Sequence, residues 1–182
     1  MGEIFSGLDR MDLAAHVDRW SDPEVSRADG HVSQWSAAAE MFASRLQADH
    51  AALSDEQWQT VAFAWANLLS AAERSTGPQG IEWLMRDLWL RVSLLQAVGP
   101  RDGVPLLEPA PVLDRALDAM PLSREEASVL APGWRGLSRE RMLELRTVRR
   151  LLAPAGRLGD LLADHPRWAE YDAWRKVAAH LP

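Results

Sequence analysis

Four arginines near the carboxyl end of the chain are the side chains whose type and spacing best suit recognition of a partner. Arg139, Arg146 and Arg150 are spaced at i, i+7 and i+11, and Arg149 flanks them. On a helix that turns about 100° per residue, this spacing places the first three within about 40° of one another. Guanidinium groups form paired hydrogen bonds with carboxylates and phosphates. The spacing therefore predicts a cationic face that binds an acidic protein surface, a nucleic acid or a phosphorylated ligand.

Two plainer interpretations of this arginine face stay open, since the face can be solvated or can dock on the acidic first third of the same chain. Residues 1–60 carry eleven acidic residues against four arginines, whereas residues 134–182 carry ten basic residues against six acids. Such segregation is typical of proteins that associate through complementary charge. Nucleic acid is the least favoured partner, because the whole chain has a net charge of −6.

Four other polar residues are candidates for the lining of a ligand pocket. Asp49 falls inside the apolar stripe of its predicted helix, and His50 lies at the edge of that stripe. An acid that faces a core must be paired or must shift its pKa. Asp87 and Arg91 project between the two apolar sectors of another predicted helix. The plainer interpretation of Asp49 is a structural ion pair or hydrogen bond, and that of Asp87 and Arg91 is an intrahelical pair.

Sequence motifs for catalysis, metal binding and phosphate binding are missing. The chain has no cysteine, and its five histidines form no His-x-x-x-His or Glu-x-x-His pair of the kind that metal sites use. No Gly-x-x-x-x-Gly-Lys, Gly-x-Gly-x-x-Gly or Gly-x-Ser-x-Gly segment occurs. We therefore predict no metal and no cofactor, we assign no catalytic residue, and a non-enzymatic role is favoured over an enzymatic one.

The nine tryptophans of the chain indicate a second possible contact with a partner. Most of them, Trp58 and Trp65 among them, fall on helical stripes where packing in the core is expected. Trp20 and Trp134 lie instead at a predicted helix end and in a predicted turn. Because tryptophan and arginine are enriched at binding hot spots, Trp20 and Trp134 are predicted to belong to a protein-facing patch.

The elements that position all these residues are predicted to be helices. Apolar residues recur with the helical period, and no stretch alternates as a strand does. Capping-box patterns at Ser54–Gln57 and Ser123–Glu126 begin two helices, and a linker rich in turn formers is predicted over 21–33. The helix near residues 80–98 is apolar on two sides, as expected for a central helix. We predict an all-α chain, a single irregular domain of about seven to nine helices, with a weak internal boundary in the proline-rich loop 99–111.

The setting of the protein is predicted from its composition. The amino-terminal segment has neither a basic region nor an apolar core, so no secretory leader is expected. The lack of cysteine fits a reducing compartment, and nineteen of the twenty basic residues are arginine, a bias typical of GC-rich bacterial coding. We predict a bacterial, cytoplasmic protein with no membrane-spanning segment.

The function that these observations favour is that of a non-enzymatic helical interaction protein, such as an adaptor, a regulator or an immunity-type module. It would act through its charge-segregated surfaces on a protein partner or on another copy of itself. One alternative is a small-molecule-binding protein or enzyme with an apolar, tryptophan-lined pocket, whose polar groups would be those of Asp49, His50, Asp87 and Arg91. A third hypothesis is nucleic-acid binding through the arginine-rich helix.

Overall fold

The computed structural model of the protein describes residues 4–76, 81–154, 157–160 and 162–182. Every regular element in these residues is helical and none is a strand, which confirms the all-α prediction. The α-helices of the described residues are α1 (Leu13–Trp20), α2 (Pro23–Arg27), α3 (Val32–Asp49), α4 (Asp55–Thr76), α5 (Ile81–Val98), α6 (Ala110–Asp118), α7 (Arg124–Leu130), α8 (Arg139–Leu152) and α9 (Trp168–Ala178). Short 3-10 turns connect several of them, at Leu8–Arg10, His50–Ala52, Pro105–Leu107 and Ala131–Gly136. Among the described residues, none of the helices has the length and apolar character needed to cross a membrane.

Both predicted capping boxes are formed. At the start of α7, the Ser123 amide donates to Glu126 Oε2 at 2.9 Å and the Glu126 amide donates to Ser123 Oγ at 3.2 Å. Ser54 and Gln57 form the same reciprocal pair at the start of α4. These bonds satisfy backbone amides that no carbonyl of the helix can reach.

The predicted linker over 21–33 contains a short helix, α2, that the sequence analysis missed. Its start is capped by Asp22, whose Oδ1 accepts from the Glu24 amide at 2.8 Å, and Pro23 occupies the first helical position. An acidic cap followed by proline is a helix-start signal. The helix is only five residues long, too short to show a helical period among the turn-forming residues around it.

The described helices form two compact units, Met1–Glu108 and Pro109–Pro182. The division between them falls in the loop 99–111, where the sequence predicts a weak boundary. In the first unit, α4 packs against α1, α2, α3 and α5 and against the turn Pro105–Leu107. In the second unit, α8 packs against α9, which also contacts α7.

Helix α5, which the sequence predicts to be central, is buried on two sides within the first unit. Its buried apolar side chains are Trp83, Leu84, Leu88, Leu90, Val92, Leu94 and Leu95. It packs against α3, α4 and the turn Pro105–Leu107. Helix α5 therefore shares the centre of the first unit with α4, and burial of apolar area on both helices stabilises that unit.

Candidate functional site

Helix α8 places the predicted arginines on one solvent-facing side. The hydroxyl of Ser138 caps the helix by accepting from the Arg141 amide at 3.3 Å. The opposite side of α8 is buried in the second unit through Leu145, Val148, Leu151 and Leu152. Because the helix is anchored by that side, Arg139, Arg146 and Arg150 face solvent, and all three are exposed.

These three arginines have no intramolecular partner in the part of the chain that the structure describes. An acid of the same helix, Glu144, pairs with Arg141 at 2.9 Å and not with any of the three. Apart from Arg10, every other arginine of the described residues contacts a carboxylate, a carbonyl, a hydroxyl, a sulfur or an aromatic ring, or has another interaction of these kinds. The unpaired guanidinium groups are thus concentrated on one helical face.

Leu143 lies on this same face and was missed by the sequence analysis. It follows Arg139 by four residues and precedes Arg146 by three, which puts it within about 60° of both in projection. Its side chain is 53% exposed, and few large apolar side chains of the described residues are as exposed. Its helical spacing from Arg139 and Arg146 is the signal in the sequence that indicates this position. We call Arg139, Leu143, Arg146 and Arg150 the α8 face.

Arg149 and Trp134, the other predicted contacts near α8, have partners within the second unit. Arg149 donates from Nη1 to the Leu181 carbonyl at 3.1 Å, which holds the end of the chain against α8. Trp134 lies in the turn Ala131–Gly136 that precedes α8, where it is half-buried. The guanidinium carbon of Arg135 lies 5.3 Å from the centroid of its ring. Contact of Trp134 with a partner stays a prediction.

Trp20 is buried, so its assignment to a protein-facing patch is wrong. The side chain is 1% exposed, and its Nε1 donates to His16 Nδ1 at 3.1 Å. Although Trp20 is the last residue of α1, the side chain of Asn67 on α4 donates to its carbonyl at 3.1 Å. The end of α1 is therefore covered by neighbouring structure, and an aromatic residue there packs into the core.

Asp87 and Arg91 form an ion pair within α5, the alternative to a role in a ligand pocket. Asp87 is 3% exposed, and its Oδ1 accepts from Arg91 Nε at 2.7 Å and from Trp65 Nε1 at 3.0 Å. Arg91 also donates to the carbonyls of Pro105 and Glu108. These bonds join α4, α5 and the loop that follows α5, so the pair braces the first unit.

Asp49 is exposed, contrary to the prediction of an acid facing the core. The buried residues of α3 end at Leu46, and the chain passes from Asp49 into the turn His50–Ala52, so Asp49 lies beyond the last buried residue of the helix. Asp49 lines a surface cleft of about 310 Å³ formed with α1 and α4. His50 does not line this cleft, and its Nδ1 donates to the Gln47 carbonyl at 2.8 Å.

The four predicted pocket residues are therefore not brought together. The cleft that contains Asp49 is lined by neither Asp87 nor Arg91, and no tryptophan lines it. The shared, tryptophan-lined pocket of the alternative hypothesis does not form around these four side chains.

A polar cluster between α6 and α9 was also missed by the sequence analysis. Arg167 donates to Asp118 at 3.0 Å and to Glu170 at 2.9 Å, while the Tyr171 hydroxyl donates to Asp114 Oδ1 at 3.4 Å. Burial, with the negative charge of Asp114 as a smaller cause, raises the pKa of Tyr171, so the phenol stays protonated. Arg167 and Glu170 are three residues apart, but 49 residues separate Arg167 from Asp118 and 57 separate Tyr171 from Asp114. No local spacing could therefore have indicated the bonds that join the two helices. Its bonds fasten α9 to α6 within the second unit.

No protein-family model matches the sequence, and no curated protein or solved structure shows significant similarity to it. Within the described residues, no group of three or more histidine, aspartate or glutamate side chains is arranged to hold a metal ion. The residues of this chain are therefore the basis on which its function is inferred.

Proposed function

We propose that this protein is a non-enzymatic interaction module whose α8 face binds an acidic segment of a partner protein. The observation that carries the proposal is the arrangement of three unpaired arginines around an exposed leucine. Elsewhere in the described residues, arginines are almost all engaged in contacts within the protein. An adaptor, regulator or immunity-type module would use such a face.

The exposed leucine favours a protein partner over a nucleic acid. Protein interfaces combine an apolar centre with a polar rim, and arginine is enriched in them. Leu143 can supply that apolar centre, and the arginines around it can reach carboxylates. Protein–DNA hydrogen bonds go mainly to phosphate and sugar, for which an exposed leucine adds nothing, and a net charge of −6 repels a polyanion.

The α8 face offers two separable contributions to binding. Charge pairs at an exposed rim mainly steer association and set specificity, so Arg139, Arg146 and Arg150 would confer the preference for acidic partners. Burial of Leu143 would supply affinity, about 1.5–3 kcal/mol for a fully buried leucine. The same proposal places the protein in a bacterial cytoplasm, on its arginine bias and its lack of cysteine.

Selection of displayed random peptides on the immobilised protein tests the proposal. We expect enriched peptides to carry several acidic residues together with an aliphatic or aromatic residue. The triple variant Arg139→Gln, Arg146→Gln, Arg150→Gln should bind these peptides at least tenfold more weakly, a loss of about 1.4 kcal/mol. Leu143→Ala alone should weaken binding by a similar factor without changing the preference for acidic sequences.

Matched variants control for general effects of charge and apolar exposure. Arg10→Gln removes another exposed and unpaired arginine, and Val129→Ala trims an apolar side chain that is 79% exposed. Both should leave peptide binding unchanged. Failure to enrich peptides, or enrichment of basic or uncharged ones, would contradict the proposal. So would a DNA duplex that binds the same face more tightly and loses affinity steeply with added salt.

A further inference from the structure

The cleft beside Asp49 has apolar walls formed by two helices and a turn of the first unit. Leu13 and Val17 come from α1, Leu53 follows the turn His50–Ala52, and Val61 comes from α4. The volume of about 310 Å³ lies at the lower end of the range for ligand clefts, about 300–1,000 Å³. Along α1, its lining runs from Leu13 to Asp18, a rise of about 7.5 Å. A space of this length and volume suits a small molecule better than a helical segment of a protein.

Two carboxylates lie in the lining, Asp18 from α1 and Asp49 from the end of α3. Neither has an ion pair or a side-chain hydrogen bond with any other residue that the structure describes. Arg19, the basic neighbour of Asp18 in sequence, donates to Met11 Sδ at 3.3 Å, and its guanidinium carbon lies 5.7 Å from the ring of Trp20. No lysine, arginine or histidine lines the cleft. Its electrostatic potential is therefore negative, with no internal cation to neutralise it.

We infer that this cleft binds a small organic cation, an aliphatic amine whose hydrocarbon chain lies against the apolar walls and whose ammonium group lies near Asp18 and Asp49. Apolar walls alone would accept a neutral alkyl compound as well as a charged one. The unpaired carboxylates change this, because they attract the ammonium group and repel a carboxylate. The cleft residues all belong to Met1–Glu108, so this inference does not depend on the α8 face.

Each methylene group that enters the cleft should raise the affinity about fourfold, since it contributes about 0.8 kcal/mol. We therefore expect affinity to rise along a series of n-alkylammonium ions until the chain fills the cleft and then to level off. The carboxylates lie at the solvent-exposed rim, where a single charge pair contributes modestly. Removing both charges should lower the affinity about fivefold.

Titration of the full-length, isotopically labelled protein with n-alkylammonium chlorides from butyl to octyl, followed by NMR, tests the inference. Hexylammonium is expected to shift amide signals of residues 13–18 and 49–61, hexanol to bind more weakly, and hexanoate not to bind. The double variant Asp18→Asn, Asp49→Asn should lose the preference for the amine over the alcohol. The control double variant Asp29→Asn, Asp102→Asn removes two unpaired, exposed acids of the first unit that do not line the cleft, and it should bind like the unaltered protein.

A third variant, Ala52→Trp, fills the cleft from an exposed lining position and should abolish binding while the circular dichroism stays unchanged. Equal affinity for hexylammonium, hexanol and hexanoate would overturn the inference. Signal shifts outside the cleft, an equal loss in both double variants, or no binding by any member of the series would also overturn it.

Discussion

Removal of the Asp87 carboxylate should strongly destabilise the first unit. The side chain is 3% exposed, and its Oδ1 accepts from both Trp65 and Arg91. Asp87→Ala deletes both bonds and leaves the indole N–H of Trp65, itself 1% exposed, without this acceptor. Asp87→Asn removes the charge alone, because an amide oxygen in the place of Oδ1 can still accept both bonds.

The magnitudes follow from the burial of the three groups. A buried donor without an acceptor costs about 1–3 kcal/mol, and loss of one partner from a buried ion pair costs about 3–5 kcal/mol. The Arg91 side chain is 17% exposed and keeps its bonds to the carbonyls of Pro105 and Glu108, so the lower part of that range applies. We expect a loss of about 4 kcal/mol in the free energy of unfolding for Asp87→Ala, about 3 kcal/mol from the pair with Arg91 and about 1 kcal/mol from the Trp65 donor. For Asp87→Asn we expect about 1 kcal/mol, the difference between charged and neutral hydrogen bonds.

Urea unfolding followed by tryptophan fluorescence and by far-ultraviolet circular dichroism measures these losses. Six of the nine tryptophans lie in Met1–Glu108, so fluorescence reports mainly on the unit that contains Asp87. A double-mutant cycle of Asp87→Ala with Arg91→Met should give a coupling energy of about 1–3 kcal/mol. Asp102→Asn, an exposed acid of the same unit, should cost less than about 0.5 kcal/mol. The reasoning is refuted if Asp87→Ala costs no more than Asp102→Asn, or if the cycle shows no coupling.

Two further predictions concern the core of the first unit. Burial, with Arg45 as a smaller cause, lowers the pKa of His16 below 6.5, so below about pH 6.5 the unfolded chain binds a proton that the folded chain does not. The free energy of unfolding should therefore fall as the pH drops from about 7.5 to 5.5. In urea titrations, His16→Gln should reduce the slope of this free energy against pH by at most about 1.4 kcal/mol per pH unit. Identical slopes for the variant and the unaltered protein would disprove this role of His16. A Cβ on Gly30 would lie 2.8 Å from Nε1 of the buried Trp35, so Gly30→Ala should cost about 1–3 kcal/mol through overpacking. Calorimetry should show no comparable loss for Gly133→Ala, where the added Cβ meets nothing within 4 Å, and equal melting temperatures for the two variants would contradict the prediction.

The local features of this fold could be predicted because they depend on residues close together in sequence. The helical period predicted an all-α chain, and the boxes at Ser54–Gln57 and Ser123–Glu126 marked the starts of α4 and α7. The spacing of the arginines predicted one face of α8, since a helix fixes angles between its own residues whatever packs against it. The pairing of Asp87 with Arg91 was predictable for the same reason.

Burial could not be predicted as well, because it depends on which other elements cover a residue. Trp20 at a helix end suggested exposure, yet Asn67 of α4 covers that end. Asp49 lies on the apolar stripe of α3 in projection, yet the last buried residue of that helix is Leu46, and Asp49 borders an open cleft. The second acceptor role of Asp87, toward Trp65, also links residues on two helices.

By itself, then, the amino-acid sequence determined the helices, several of their caps and the angular positions of the charges on each helix. Tertiary structure decided which of those charged side chains have a partner within the protein and which are unpaired. Arg149 and Arg150 are neighbours in sequence, yet only Arg149 meets the Leu181 carbonyl, and Arg150 is left facing solvent. The physical reason is that helical geometry arises from local backbone hydrogen bonds, whereas a partner for a side chain must be brought to it by packing of distant segments.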